Sequence, residues 1–564
     1  MKRKLLRIVS FFAILIAYFF LVDHLATNVK PSILKDFILR WEAKATATTF
    51  FLLTFFTFLK RDEIVSVFRK VKKTTWMMVL SILVISFLIR EFLPPKTHRL
   101  FFDEDIYMEM GREILLNGAS CHCAFGNSTT CFNCELMKWP AAHPFFIAIS
   151  YMVGGISENS ATQLSIILST LTSFFIFLAS YVAFGKEKPA ILSMLIFSLL
   201  PLQILWSTTA AAEITFSFLL AVAIFFTILS ITHSSFSFEV LALFSVSLAS
   251  QAKAEAIVIF PLYCLTLLLF KRRILSDKKF LGTLLLSLLL CFPNFLHIIY
   301  ASKVDTWGAP GEKMSLKYLK RNLKDNLSFY LETYRNSPGI YIGKQLYHPV
   351  IFTIFALIGL LYSIGKYTKI GITMFLWFSV FLVIYSSFYA GSVLYGVDVR
   401  YILPQYPIFC LFSGLGAYFV GKKLRKIGMI MILLLISFSF LSYLESIRMP
   451  AEFIEEASDA RTYRNFAVKF AKEFEGNCYF LSHVTSIYSV MEKPHIQIWY
   501  VYRPEFEEVL KNNCVVFDEG YWCAIKVKES RSCIEANKYD LKLLARLEDE
   551  RHGKIYSFYE IRKR

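Results

Sequence analysis

Residues 189–231 read PAILSMLIFSLLPLQILWSTTAAAEITFSFLLAVAIFFTILSI. The stretch holds two apolar runs, 189–207 and 211–231, each close to the roughly 20 residues a helix needs to cross the hydrocarbon layer of a bilayer. Inside lipid every backbone amide must find its partner within the segment, so such runs predict helices. Working outward from them, the same reading gives thirteen segments, at 5–22, 43–59, 74–93, 160–184, 189–207, 211–231, 236–252, 254–270, 280–300, 347–364, 370–390, 400–420 and 427–444. The chain of 564 residues is 56% hydrophobic and holds 56 Phe, which excludes a soluble fold and predicts an all-α polytopic membrane bundle.

Short basic loops face the cytoplasm, so the Lys and Arg clusters test that count independently. Met1–Arg7, Lys60–Lys73, Lys186–Lys188, Lys271–Lys279, Lys366–Lys369 and Lys422–Lys426 all fall on one side, and only the Thr232–Ser235 turn lacks a basic residue. The formal charge of +18 is therefore a topogenic and headgroup signal, not a nucleic-acid-binding surface. No small-residue cleavage site follows the first apolar run at Asp23-His24, so that helix is expected to be retained. With the N-terminus cytoplasmic, thirteen crossings put the C-terminus outside. The expected organisation is two extra N-terminal helices over 1–73, a membrane module over 74–444 with outward loops 94–159 and 301–346, and an extracytoplasmic domain over 445–564.

Beyond residue 444 the composition turns from Leu/Ile/Phe runs to charged segments with short β-rich stretches at Cys478–Leu481, Ile496–Tyr502 and Cys514–Phe517. Helical patterns at Glu452–Phe474 and Glu505–Leu510 alternate with them, predicting a small α/β domain. It carries no nucleophile elbow, phosphate-binding glycine loop or zinc-protease motif, and reads as a cap or acceptor-binding accessory. Of the eleven cysteines, Cys264, Cys291 and Cys410 lie in apolar helices and eight in outward segments. Cys121, Cys123, Cys131 and Cys134, with His122 among them, have the spacing of two disulfides and also of a structural zinc site. Cys478, Cys514, Cys523 and Cys533 predict one or two further bridges whose pairing the sequence leaves open. Asn127-Ser128-Thr129 and Asn326-Leu327-Ser328 are outward glycosylation sequons.

Three carboxylates, Asp103, Glu104 and Asp105, follow the third helix directly, in a loop just outside the membrane. Crowded acids repel one another and persist most readily where a cation, an arginine or a proton transfer uses them. The pattern Asp103-Glu104-x-x-Tyr107-x-x-x-Gly111 resembles the motif of the C-type glycosyltransferases, above all the protein O-mannosyltransferases and lipid A aminoarabinose transferases. Trp139-Pro140-Ala141-Ala142-His143-Pro144-Phe145 is similar to their His-Pro-Pro element, with Phe145 in place of the second proline. Leu200-Pro201 through Glu213, Ser250-Gln251-Ala252-Lys253 and Arg400-Tyr401-Ile402-Leu403-Pro404 match further elements in the same order. Gln163 stands where many relatives carry an arginine, and the chain lacks the Trp-Trp-Asp signature of oligosaccharyltransferases.

The resemblance implies a polyprenyl-phosphate sugar donor and a glycan, lipid or protein acceptor. The acceptor hydroxyl must lose a proton, for which Asp103 is the expected general base and Glu104 the second acid. The departing lipid phosphate needs cations at the outer boundary, and Lys138, His143, Lys253 and Arg400, with Tyr401 beside it, are the candidates. Outward cations are not explained by the positive-inside rule, although snorkelling to headgroups would also place them there. Glu213 and Asp105 are candidates for a divalent cation or for the acceptor, and Glu255 for neutralising Lys253. The competing readings are a multi-helix lipid or sugar transporter, against which no internal repeat is found, and a non-catalytic assembly protein.

Overall fold

The computed structural model describes residues 2–564 except 97, 100–101, 273, 305–311, 333–346, 395–397, 449–457, 525–538 and 563–564, and except the side chains of 2–12, 14, 276, 398, 426, 458–459 and 524. Phe101, Cys533 and parts of the 301–346 loop lie outside the described residues. The chain divides into two compact units, one of residues 1–97, 138–143 and 162–451, the other of residues 98–137, 144–161 and 452–564.

The first unit is a bundle of membrane-spanning character. Among the described residues, the helices Lys73–Phe92, Glu158–Phe184, Ala212–Thr232, Lys278–Lys303, Thr368–Ser386 and Val399–Lys423 are each long and apolar enough to cross a bilayer. Shorter apolar helices at Leu15–Asn28, Phe236–Ser250, Ala254–Phe270, Val350–Lys366 and Ile427–Ser442 accompany them, while the apolar helix Ala142–Gly154 lies almost wholly in the second unit. The expected segment 189–207 is not one helix. It runs as Glu187–Ser198 and Pro201–Trp206, broken where Pro201 has no N–H to continue the ladder and excludes the α conformation from Leu200. Regular helix also gives way to 3₁₀ at Ala254–Val258 and Asp398–Gln405, which bring Lys253 and Arg400 to the ends of their helices. Helices Val350–Lys366 and Tyr406–Lys423 cross at glycines: a Cβ on Gly359 would stand 1.9 Å from the Phe412 carbonyl oxygen, and one on Gly416 1.9 Å from that of Phe355.

The second unit is α/β and larger than the segment 445–564 that composition assigned to it. Among the described residues its strands are β1 (His122–Gly126), β2 (Cys131–Glu135), β3 (Tyr479–Ser482), β4 (His495–Gln497), β5 (Val515–Glu519), β6 (Asp540–Asp549) and β7 (Lys554–Arg562). They form one sheet in the order β2-β1-β4-β3-β5-β7-β6. β3 runs parallel to β4 and β5, and the other pairings are antiparallel. The alternation of a strand assigns its two faces: Val515 and Phe517 pack with Leu481, Ile496 and Phe506, while Val516 packs with Phe480, Tyr463 and Phe558 on the other side. The hairpin β1–β2 belongs to the loop after the third expected helix, so this sheet is assembled from both ends of the chain. Two disulfides, Cys121–Cys134 and Cys123–Cys131, staple that hairpin, and Cys478–Cys514 joins the starts of β3 and β5. Asn127 sits in the β1–β2 turn, its side-chain oxygen accepting from the Thr129 and Thr130 amides. The other sequon is not available: Asn326 is buried and donates its amide to Ser386 and to the Gly391 carbonyl.

Candidate functional site

The acidic triplet is the first turn of a helix, Asp103–Asn117, rather than a loop. Unpaired N–H groups and the positive end of the helix dipole favour carboxylates there, which offsets their mutual repulsion. Phe102 precedes it with φ of 69°, a strained value for a bulky residue, and packs against Tyr521 and Trp522 at 5.7 and 5.8 Å between ring centroids. Gly111 completes the motif for a packing reason: a Cβ there would stand 2.6 Å from Cγ2 of Ile147.

The three acids differ in surroundings. Asp105 is fully buried and takes a forked ion pair from Arg464, with Nη2 2.9 Å from Oδ1 and Nε 3.1 Å from both oxygens. Arg464 also reaches Glu158 at 3.0 Å, and His98 bridges the same two acids at 3.6 Å from Asp105 and 3.1 Å from Glu158. Burial lowers the affinity of His98 for a proton and Arg464 lowers it further, yet Asp105, Glu104 and Glu158 together raise its pKa above the ordinary value. Glu104 is buried and accepts the Arg99 backbone N–H at 2.7 Å. Asp103 alone of the three is half-exposed. No local pattern marks either partner: Arg464 lies 359 positions from Asp105, and a lone His98 carries no signature of the acids it bridges.

In the membrane unit, Glu213 lies in the first turn of Ala212–Thr232 and collects two cations, Lys253 Nζ at 2.9 Å and Arg400 Nε at 3.4 Å. Lys253 also meets Glu255 at 2.8 Å, and the Tyr385 hydroxyl donates to Glu255 at 3.0 Å. The Tyr401 ring lies 5.4 Å from the Lys253 ammonium and 5.3 Å from the Arg400 guanidinium, and stacks on Tyr385 with centroids 5.0 Å apart. The structure thus gathers Glu213, Lys253, Arg400 and Tyr401 of the expected residues, adds Tyr385, and places Glu255 against Lys253. Lys138 instead lies over the Trp139 ring at 4.9 Å. His143 is buried with both ring nitrogens engaged, Nε2 donating to the Ala210 carbonyl at 2.7 Å and Nδ1 2.8 Å from the Thr215 hydroxyl. It ties the Trp139–His143 segment to the turn before Glu213, which places it as a tether. That segment is held again at Ala141, whose N–H donates to Glu42 at 3.2 Å, while Glu42 pairs with His297 at 2.8 Å. Gln163, at the position where relatives carry arginine, donates to Glu91 at 2.8 Å.

Neither expected metal set fits an ion. Glu213 and Asp105 are each already matched by cations, and a divalent ion would add positive charge beside Lys253 and Arg400 or beside Arg464. Cys121, Cys123, Cys131 and Cys134, the expected zinc ligands, are all in disulfides and supply none of the thiolates that zinc requires, and the approach of Glu113 to Cys121 and Cys131 does not change that.

Residues 138–297, which hold Lys138, His143, Glu213 and Lys253, match the family model described as dolichyl-phosphate-mannose-protein mannosyltransferase. Among solved structures, ArnT from Cupriavidus metallidurans in the apo state is 13% identical, with a TM-score of 0.55 over 86% of this chain and 98% of that one. The same protein bound to undecaprenyl phosphate gives 12% identity, the same coverage and a TM-score of 0.49. The oligosaccharyltransferase AglB of Archaeoglobus fulgidus, in complex with an inhibitory peptide and a dolichol-phosphate, gives 12%, 0.47, and 86% and 74% coverage. No curated protein sequence matches the chain. By its family segment the chain resembles the C-type membrane glycosyltransferases of the protein O-mannosyltransferase kind, and by fold it resembles ArnT.

Proposed function

We propose that the protein moves a sugar from a polyprenyl phosphate to an acceptor hydroxyl on the extracytoplasmic side, with Asp103 as general base. The observation that carries this reading is the division of labour within one helical turn. Asp105 is committed to Arg464, Glu104 is buried against a backbone amide, and Asp103 keeps access to solvent. The family description, which names a dolichyl-phosphate-linked donor, supports the donor class.

In the proposed step the acceptor oxygen bonds to the anomeric carbon as the bond from that carbon to the phosphate oxygen breaks. The acceptor proton passes to Asp103 and the electron pair leaves with the lipid phosphate, so a single displacement inverts the sugar carbon. Glu104, buried and accepting the Arg99 backbone N–H, acts as a positioning residue that holds the start of the helix carrying Asp103. Lys253 and Arg400 receive the phosphate charge, held in place beforehand by Glu213, Glu255 and the Tyr401 ring, so that little reorganisation accompanies the reaction. No step is routed through a metal. The sugar and the acceptor are the finer parts of the proposal: a hexose or pentose passed to a glycan, a lipid or a protein Ser/Thr.

The test is transfer from a radiolabelled polyprenyl-phosphate hexose by purified protein and by Asp103→Asn. We expect the variant to lose about 100-fold or more in kcat while melting at the wild-type temperature. Full activity in Asp103→Asn would end the assignment of the base, and absence of transfer by the wild-type protein from any polyprenyl-phosphate sugar would end the donor class. Arg400→Ala should raise the donor KM first.

A further inference from the structure

Helix Leu316–Tyr330 carries Lys317, Lys320, Arg321 and Lys324, a spacing of three, four and seven residues that sets four cations along one face. The opposite face is fastened to the bundle. Asn322 donates to the Phe388 carbonyl at 2.7 Å, Asn326 accepts from the Val393 amide at 2.9 Å, and the Tyr330 hydroxyl donates to Gln405 at 3.2 Å. The Thr353 hydroxyl donates to the Tyr330 carbonyl at 2.7 Å. These partners lie just past the end of Thr368–Ser386, at the end of Asp398–Gln405 and near the start of Val350–Lys366. The helix therefore lies across the ends of spanning helices, at the level where headgroups begin, and at the same end of the bundle as Arg400.

The outward face has two borders. Leu316 is 76% exposed and Leu327 44%, and at 3.6 residues per turn they form one edge of the exposed arc, with Lys320 next to them and Lys324, Lys317 and Arg321 following toward the other edge; Leu331, just past the helix end, is 51% exposed. Lys317 meets Glu312 at 3.5 Å, whereas Lys320, Arg321 and Lys324 form no ion pair among the described residues. A soluble anion would use the cations but leave three leucines in water. A bilayer surface uses both, taking the leucines into the acyl boundary and the cations onto phosphate. The positive-inside rule gives no reason for the ridge, because the basic loops that obey it are at the other end of the bundle. We propose that helix Leu316–Tyr330 is an interfacial helix that binds anionic phospholipid headgroups of the bilayer surface through Lys317, Lys320, Arg321 and Lys324.

The experiment places a polarity-sensitive dye at Leu327→Cys in the full chain; the free cysteines Cys264, Cys291 and Cys410 are buried. The labelled protein is reconstituted in nanodiscs of phosphatidylcholine alone and of phosphatidylcholine mixed with phosphatidylglycerol. Emission should shift to the blue, and quenching by lipid-borne spin label should rise several-fold, when the anionic lipid is present. Both effects should vanish with Lys317→Gln, Lys320→Gln, Arg321→Gln and Lys324→Gln combined, and weaken in high salt. Equal emission in the two lipids, or a shift that survives the four substitutions, would overturn the proposal. So would reversal of the shift by inorganic phosphate at matched ionic strength, which would assign the ridge to a soluble anion. The readout does not involve transfer, so its outcome is independent of the proposed activity.

Discussion

Asp103 and Asp105 are two positions apart on one helix, and their neighbours give them different work. Asp105 is buried with Arg464, and removing one charge of such a pair leaves the other without compensation in a dry site. Asp105→Asn should cost about 3 kcal/mol, the low end of the range for breaking a buried pair, because Glu158 still holds one guanidinium nitrogen. Thermal melting of the detergent-solubilised protein measures this, and Arg464→Met added to Asp105→Asn should restore part of the loss. A melting point unchanged by Asp105→Asn would show that the pair contributes nothing. At this scale the sequence marked residues that the fold gathers, Glu213, Lys253, Arg400 and Tyr401 among them, and was a poor guide to what the others touch. The acids, Lys253, Arg400 and Tyr401 were marked by local pattern and position along the chain. Arg464, Glu42 and His297 were not, since each acts through a partner far away in sequence, nor was His98, a lone histidine whose place between Asp105 and Glu158 is set by tertiary packing; His143 has both ring nitrogens engaged by its neighbours.

Among elements, β5 carries a titration built into the sheet. Asp518 is buried and its Oδ2 accepts from the hydroxyls of Tyr463 at 2.5 Å, Tyr488 at 2.6 Å and Ser482 at 2.8 Å. Burial pushes its pKa up to about 6 from the ordinary 3.8, against the opposing effect of the hydroxyls. The folded state therefore holds this proton more tightly than the unfolded one. Its contribution to stability is complete below pH 3.8 and is lost as pH rises through about 6. The rise corresponds to about 3 kcal/mol. Melting curves of wild type and Asp518→Asn should diverge across that window and run parallel above it; parallel curves throughout would refute the assignment. In the membrane unit, Gly416→Ala should lower stability by about 1–3 kcal/mol, because its new Cβ meets the Phe355 backbone and not a movable side chain. A wild-type melting temperature for that variant would count against the close crossing. Hydrophobic runs made the spanning helices legible, whereas the break at Leu200 turned on one proline, and the crossing glycines carry no mark of which helix they face.

For the second unit as a whole, the order of assembly follows from its sheet. β4 pairs antiparallel with β1, Phe125 opposite Ile496 and Gly126 opposite His495, and Ala124 is fully buried in the core cluster of Leu481, Ile496 and Phe517. The Thr485 hydroxyl donates to the Cys123 carbonyl at 3.3 Å, and Phe125 lies 5.7 Å from Tyr479 and 5.6 Å from Tyr500. Composition suggested a domain beginning after residue 444, because the change from apolar runs to charged segments is sharp there. The hairpin that completes it, at residues 122–135, lies far earlier in the chain, where only the cysteine spacing marked a folded structure, and strands separated so far leave no periodic signal of their pairing. Residues 458–562 alone would present the bare edge of β4, a gap beside Leu481 and Ile496, and Arg464 without Asp105, the combination that makes a chain pair with its neighbours instead of folding. We expect that fragment to aggregate, and residues 98–137 joined to it by a flexible linker to give a soluble, cooperatively melting protein in which the Ile496 and His495 amides resist hydrogen exchange. Circular dichroism melts with exchange measured by mass spectrometry decide it. A cooperative melt of 458–562 by itself, with the same protection, would mean that the hairpin decorates the sheet and does not complete it.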